Sequence, residues 1–430
     1  MRGLLWLVAT AWLIFGLSWL VLHGWIVPRI GEFRPQLEAQ ASKALGVPVR
    51  IGQITASSLG MIPSFELRDV ALLDSQGREA VRLPHVLGAL SPSSLWGLGF
   101  EQLLIDQPEL DIRRTADGKI FVGGLEVSKD RASGQSALTD WFFSQTEFVL
   151  RGGTVRWTDE MRPAPPLALT QVNGVMRNAR HRHLMRLDAT PPAEWGERFS
   201  LRGIFRRSLL SVHAGDFRAW TGQIYADFAR VDVSRVKQYA GFDALGVELN
   251  RGNGALRAWA DVSHGKLAGA VADLALREVD ARLGPGLRPL ELASVAGRLA
   301  GSQRPDGFDI STEGLRFRTR DGLQWPGGNV ALMHNSAAGA KPPYSTLKAD
   351  KLDLAALAQI ASRLPLAEGA QSLIASFAPR GLVETIDARW QGPMEAPISF
   401  AARGARLCAC RMSWAHCLRP RSGAWALSSC

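Results

Sequence analysis

Residues 199–206 read Phe199-Ser200-Leu201-Arg202-Gly203-Ile204-Phe205-Arg206. Phe199, Leu201, Gly203 and Phe205 fall on every second place, and Ser200, Arg202, Ile204 and Arg206 fall between them. That period of two belongs to a strand with one apolar face and one wet face. Trp220, Gly222, Ile224, Ala226 and Phe228 alternate in the same way with Thr221, Gln223, Tyr225 and Asp227. Leu315, Phe317 and Thr319 alternate with Arg316, Arg318 and Arg320. Alternation alone nominates Phe199, Leu201, Phe205, Ile224, Phe228, Leu315 and Phe317 as residues of an apolar face, and a register error of one residue reverses that choice.

Turn chemistry punctuates these runs at Asp117-Gly118, Asp306-Gly307, Asp321-Gly322 and Asp74-Ser75-Gln76-Gly77. The pattern predicts roughly 15 to 20 mostly antiparallel strands joined by short hairpins. Helical spacing is confined to about 33–45, 136–145, 233–239, 354–363 and 368–377. The fold class is therefore mainly β. No strict sequence repeat is visible; what recurs is the strand–turn–strand unit, which suggests an extended sheet. So many one-sided strands pose a problem of covering. The helices are too few and short to hide the apolar face. Either the sheet curls around something apolar, such as lipid chains, or the strands form β-sandwich domains with buried inner faces. Alternation does not separate the two.

At the N terminus, residues 3–27 form a run of 25 without Asp, Glu, Lys or Arg. As a helix it would cross a hydrocarbon core of about 30 Å. Trp6 and Trp25 sit near its ends, with Trp12 and Trp19 between, and indole rings favour the headgroup level. Pro28 and Arg29 close the run, and the exit from His23 to Pro28 offers no small-x-small cleavage site, so the anchor is expected to stay attached. Arg2 flanks one side and Arg29, Arg34 and Lys43 the other, a count that mildly favours the C-terminal side inside but is marginal with a two-residue N-terminal flank. The expected organisation is an anchor over 1–29, an amphipathic linker helix over 30–46, a β-rich body over 47–403 and a distinct tail over 404–430.

The net charge of +10 comes from arginine, since only eight of the 50 basic residues are lysine. No basic run concentrates it, and no nucleic-acid partner is expected. All four cysteines, Cys408, Cys410, Cys417 and Cys430, lie in the last 23 residues. A cysteine-free body suits an oxidising compartment.

Several segments together resemble one known family. After the anchor come Leu45-Gly46-Val47-Pro48-Val49-Arg50-Ile51-Gly52, then Leu67-Arg68-Asp69-Val70-Ala71-Leu72. Asp106-Gln107-Pro108-Glu109-Leu110-Asp111-Ile112 follows, and further on come Ala349-Asp350-Lys351-Leu352-Asp353-Leu354 and Trp390-Gln391-Gly392-Pro393. In order and spacing these resemble the AsmA-like superfamily, most closely its YhdP branch of bacterial envelope proteins, over about residues 1–403. The resemblance implies a single-pass inner-membrane anchor with the body in the periplasm. It also implies a repeating β-groove that carries phospholipid toward the outer membrane, with phospholipid acyl chains and the inner membrane as partners. A second role seen among AsmA-like proteins, assistance to outer-membrane protein assembly, would make envelope proteins the partners. The family brings no catalytic residues, and no groove position is carried over individually. The tail departs from the pattern: after about Gly404 alternation stops and every cysteine gathers, which reads as a frameshifted or truncated gene product.

Signals for chemistry are sparse. Ser234 and Lys237 have the spacing of an acylating Ser-x-x-Lys pair but no companion motif, and a solvated helix face explains them. His181 and His183 fall two apart without a third ligand, and Cys408, Cys410, His416 and Cys417 lack the usual zinc spacing. No phosphate-binding or dinucleotide loop is present. No catalytic, metal or cofactor residue is assigned.

Overall fold

The computed structural model describes residues 2–21, 24–25, 27–57, 64–74, 76–89, 100–126, 137–162, 164–179, 181–208, 219–239, 248–336, 342–364, 366, 368–392 and 399–408. The chain divides into two compact units, Met1–Pro192 with Ser200–Gly222, and Ala193–Phe199 with Gln223–Cys430. Both are mainly β.

At the N terminus α1 spans Arg2–Val21, 20 residues, and a tight 3-10 segment spans Val27–Phe33. Among the described residues no helix is both long and apolar enough to cross a membrane. Residues 22, 23 and 26 of the 25-residue span expected over 3–27 lie outside the described residues.

Helix α2, Arg34–Leu45, ends on Gly46 in the left-handed region at φ 71°. It clamps the first strand through two side chains. Ser42 Oγ accepts from Val49 N at 2.8 Å and Glu38 Oε1 accepts from Ile51 N at 2.7 Å. Those donors lie on β1, Val49–Ser57, which the described ladders pair only with β2, Ser64–Leu73. The helix therefore occupies hydrogen-bonding positions that would otherwise make β1 an open edge. Leu37, Ala41 and Leu45 of α2 pack on a cluster of Val49, Ile51, Val70, Val86, Leu103 and Ile105.

The meander continues through β3, Glu79–Ala89, and β4, Gln102–Asp106. The mostly antiparallel order has one parallel exception here. β8, Glu147–Asp159, runs parallel to β4 and to β5, Glu109–Arg114. A parallel neighbour needs a long crossover. The intervening chain supplies it with β6 (Ile120–Val122), β7 (Leu125–Glu126) and α3 (Ala137–Ser144). β9, Leu167–Ala179, and β10, Arg182–Thr190, restore antiparallel order, and β11 spans Phe199–Arg206.

The second unit contains most of β12, Thr221–Asp232, then the short helix α4, Val233–Lys237. An antiparallel series follows: β13 Glu248–Ser263, β14 Lys266–Arg282, β15 Leu290–Arg304 and β16 Gly307–Thr319. Beyond β16 lie β17 (Gln324–Trp325), β18 (Val330–Asn335), β19 (Tyr344–Asp353), β20 (Leu382–Gln391) and β21 (Ser399–Cys408). α5, Leu354–Ile360, and α6, Glu368–Phe377, interrupt the series. β21 pairs Cys408 with Leu382, so the strand runs past the boundary placed at Gly404. The rest of the expected tail, with Cys410, Cys417 and Cys430, lies outside the described residues.

Candidate functional site: an apolar strand face

Directly opposed residues of an antiparallel pair share a face, so the ladder registers assign each side of the second unit. Leu256 faces Leu274, Ala258 faces Ala272, and Ala260 faces Ala270. Across the next pair, Leu276 meets Val295, Ala272 meets Leu299, and Ala270 meets Gly301. Val295 then meets Phe317, Leu299 meets Thr312, and Gly301 meets Ile310. Ile310 continues to Leu332, and Leu332 to Leu347. One side is thus an unbroken band of Ala, Gly, Leu, Val, Ile and Phe, with Thr312 the hydroxyl exception.

A bulge keeps the band continuous. Arg298 pairs with Glu313 but Ala296 pairs with Arg316, which leaves one extra residue on β16. Gly314 takes the left-handed conformation there, φ 57°. Its freed N–H donates to Asn329 Oδ1 at 2.9 Å, and Asn329 is held by Asp350. The extra residue switches the alternation, so Leu315 and Phe317 share a side with Thr312 and Ile310. The first unit uses the same device: Gly152, φ 60°, donates to Asn173 Oδ1 at 2.9 Å.

The opposite side of these strands is charged and paired. Arg298 binds Asp273 through two hydrogen bonds of 2.6 and 2.9 Å and reaches Glu313 at 3.7 Å. Those bonds from Arg298 hold the Asp273 carboxyl below the usual carboxylate range.

Cover over the apolar band is uneven. At one end Val231, Val233, Leu276, Val279, Leu292 and Ile360 form a buried cluster, joined by Val236 of α4 and by Leu364. Here the few helices do close the face. Farther along, Leu299 is 38 % exposed and Ile310 52 % exposed. No helix covers that stretch among the described contacts.

The nominated residues fall in different places. Phe199 stacks on Phe228 at 5.1 Å between centroids, within the second unit. Phe228 and Phe317 pack on the buried cluster, and Phe317 stacks on Trp325 at 5.7 Å. Phe205 lies in the first unit against Trp220 at 5.5 Å. Leu201, Ile224 and Leu315 are half-buried. Leu299 and Ile310, the open part of the band, were not nominated. For Leu299 a signal existed in the alternation Val295, Gly297, Leu299, Gly301; for Ile310 the bulge hides it.

The first unit holds a separate cavity of about 230 Å³ whose walls are apolar throughout, among them Ala41, Leu67, Val86, Leu103, Trp141 and Phe148. Near the N terminus Trp6, Trp12 and Trp25 are exposed, and Trp25 packs edge-on against Phe33 with Arg29 over its ring. Trp19 lies within α1, and its side chain falls outside the described residues.

The residues weighed for catalysis have other partners. The Ser234 hydroxyl donates to Asp232, and Lys237 donates to Asn250 Oδ1 at 3.0 Å. His183 is buried against Trp220, and no group of three or more metal-binding side chains occurs among the described residues.

Long strands with one salt-bridged side and one apolar side, partly open, define a mainly β protein with an accessible greasy face. The chain belongs to the YhdP family: the family model described as YhdP protein matches residues 1–409. No curated protein and no solved structure matches it.

Proposed function

We propose that this chain is a cell-envelope protein, held in the inner membrane by its N-terminal helix, whose apolar strand face shields phospholipid acyl chains during passage between inner and outer membranes. The observation that carries the reading is the exposure of Leu299 and Ile310 on a band that is apolar apart from Thr312. Each methylene kept dry there is worth about 0.8 kcal/mol, so an acyl chain laid along the band is a strong ligand without any reaction or cofactor. The bulge at Gly314 bends its strand and increases local twist, which favours a curled sheet over a flat one. Exposed Trp6, Leu7, Leu13, Ile14, Leu17 and Leu20 on α1 support the anchor.

Photocrosslinking tests the lipid contact directly. A benzophenone amino acid replacing Ile310 should capture phospholipid in membranes. The same group at Met333, exposed but opposite Asp309 on the charged side, should not. Equal lipid capture at both positions, or none at Ile310, would defeat the proposal. Capture of one outer-membrane protein at Ile310 would favour the assembly role.

A further inference from the structure

The charged side of the second unit contains one region without compensation. Register places Asn253, Arg277, Ser294, Arg318 and Gln324 on a single rung across successive strands. The adjacent rung is Ala255, Ala275, Ala296 and Arg316. Long side chains therefore flank a floor of alanines, and a cavity of about 550 Å³ opens over it. Among the described residues its lining includes Arg277, Arg316 and Arg318, together with Phe317 and Trp325, and no acidic residue.

All three arginines are exposed, and among the described residues none has a carboxylate partner. The rungs on either side are balanced: Arg298 pairs with Asp273 and Glu313, and Arg320 pairs with Glu291. Arg316 and Arg318 stand two residues apart on one side of β16, about 6.7 Å by strand geometry. Arg277 shares the rung of Arg318 two strands away, about 9.6 Å by strand spacing. Guanidinium side chains span such gaps, so three forks can converge over the Ser294 hydroxyl.

We propose that this cavity binds a phosphoryl group. Gathering three like charges without a counter-ion is unfavourable for the protein alone, and a compact oxyanion with several acceptor oxygens relieves it. Guanidinium forks match phosphate oxygens in pairs, and Ser294 adds a neutral donor from the floor. Register puts Arg277, Ser294, Arg316 and Arg318 on the side away from the apolar band, so the proposal does not depend on that band carrying lipid.

The test uses the full chain in a non-ionic detergent and calorimetric titration. Inorganic phosphate probes the free anion. Dihexanoyl phosphatidic acid, against dihexanoyl phosphatidylcholine, probes a lipid headgroup and separates it from binding at the apolar band. Saturable binding of inorganic phosphate or phosphatidic acid, weakened at least tenfold in the double variant R316A/R318A with an unchanged melting curve, is the expected result. Tight binding of phosphatidic acid alone identifies a headgroup as the source. Arg277→Gln, a milder change, should weaken the same binding severalfold and serves if the double variant misfolds. Arg298→Ala removes a nearby paired arginine and should leave affinity within twofold. Absence of saturable binding by both phosphate probes overturns the proposal, as does an equal loss in Arg298→Ala.

Discussion

The imidazole of His183 lies flat on the indole of Trp220, with centroids 4.3 Å apart and planes inclined by 11°. Phe143 meets both rings edge-on, and Asn178 Oδ1 sits 2.6 Å from His183 Nδ1. Nε2 is buried and has no partner among the described residues. Burial, aided by the charge of Arg207, pushes the His183 pKa from 6.5 down to about 4. Asn178 also donates to the backbone of buried Gln145, whose side chain accepts from Phe100 N. The stack thus ties β10 to the end of α3.

Stability of the first unit should depend on acid through this histidine. Unfolded, the ring takes a proton near pH 6.5; folded, it resists until about pH 4. Its contribution is complete above pH 6.5, is lost as pH falls through that window, and does not change further below about 4. The loss should be on the order of 2–3 kcal/mol. Urea midpoints at successive pH values will read it, and His183→Phe should flatten the slope between 6.5 and 4.

A second prediction concerns Asp159, whose side chain is 1 % exposed and is gripped by both arms of Arg114. The guanidinium holds the carboxyl below its usual range. Arg114→Ala strands a buried carboxylate and should cost about 3–5 kcal/mol. Arg156→Ala, which breaks exposed pairs to Glu109 and Asp111, should cost about 1 kcal/mol or less. Equal costs in thermal denaturation would show that Asp159 is not effectively buried.

The cavity of about 230 Å³ beneath α2 offers no polar partner, so water has no reason to occupy it. A short alkane such as hexane should enter it and raise the melting temperature of the first unit. Linkage predicts about 2.7 kcal/mol at a hundredfold excess over the dissociation constant. Ala41→Leu, from the cavity wall, should abolish the shift. A melting curve indifferent to alkane in the parent protein would contradict the cavity.

Gly314 should be sensitive to side chains for backbone reasons alone. Nothing lies within 4 Å of a Cβ added there, yet φ is 57°. Gly314→Ala should therefore cost about 1 kcal/mol. Asn329→Ala should add a loss of similar size by orphaning the bulge N–H, about 1–2 kcal/mol. If Gly314→Ala is neutral in denaturant unfolding, the bulge is not where the register puts it.

Much of this architecture was legible in residue order. Gly46 after a helical run stops α2, and the alternation of 199–206 and 315–320 marks strands with a wet side bearing Arg316, Arg318 and Arg320. The helices expected near 136–145, 233–239, 354–363 and 368–377 appear within a few residues of those bounds. The parallel placement of β8 was not legible. It depends on which edge stays free after the crossover, and no local pattern encodes that choice.

The sequence by itself determined element type, because alternation and turn chemistry act over a few neighbouring residues. Read straight through β16, that alternation would put Ile310 among the arginines. Only pairing with β15 and the hydrogen bond from Gly314 to Asn329 moved it to the apolar side. The meeting of Arg277, Ser294 and Arg318 likewise arises from three strands in register. Side-chain periodicity is a property of one strand, whereas the phase between strands is fixed by hydrogen bonds to partners distant along the chain.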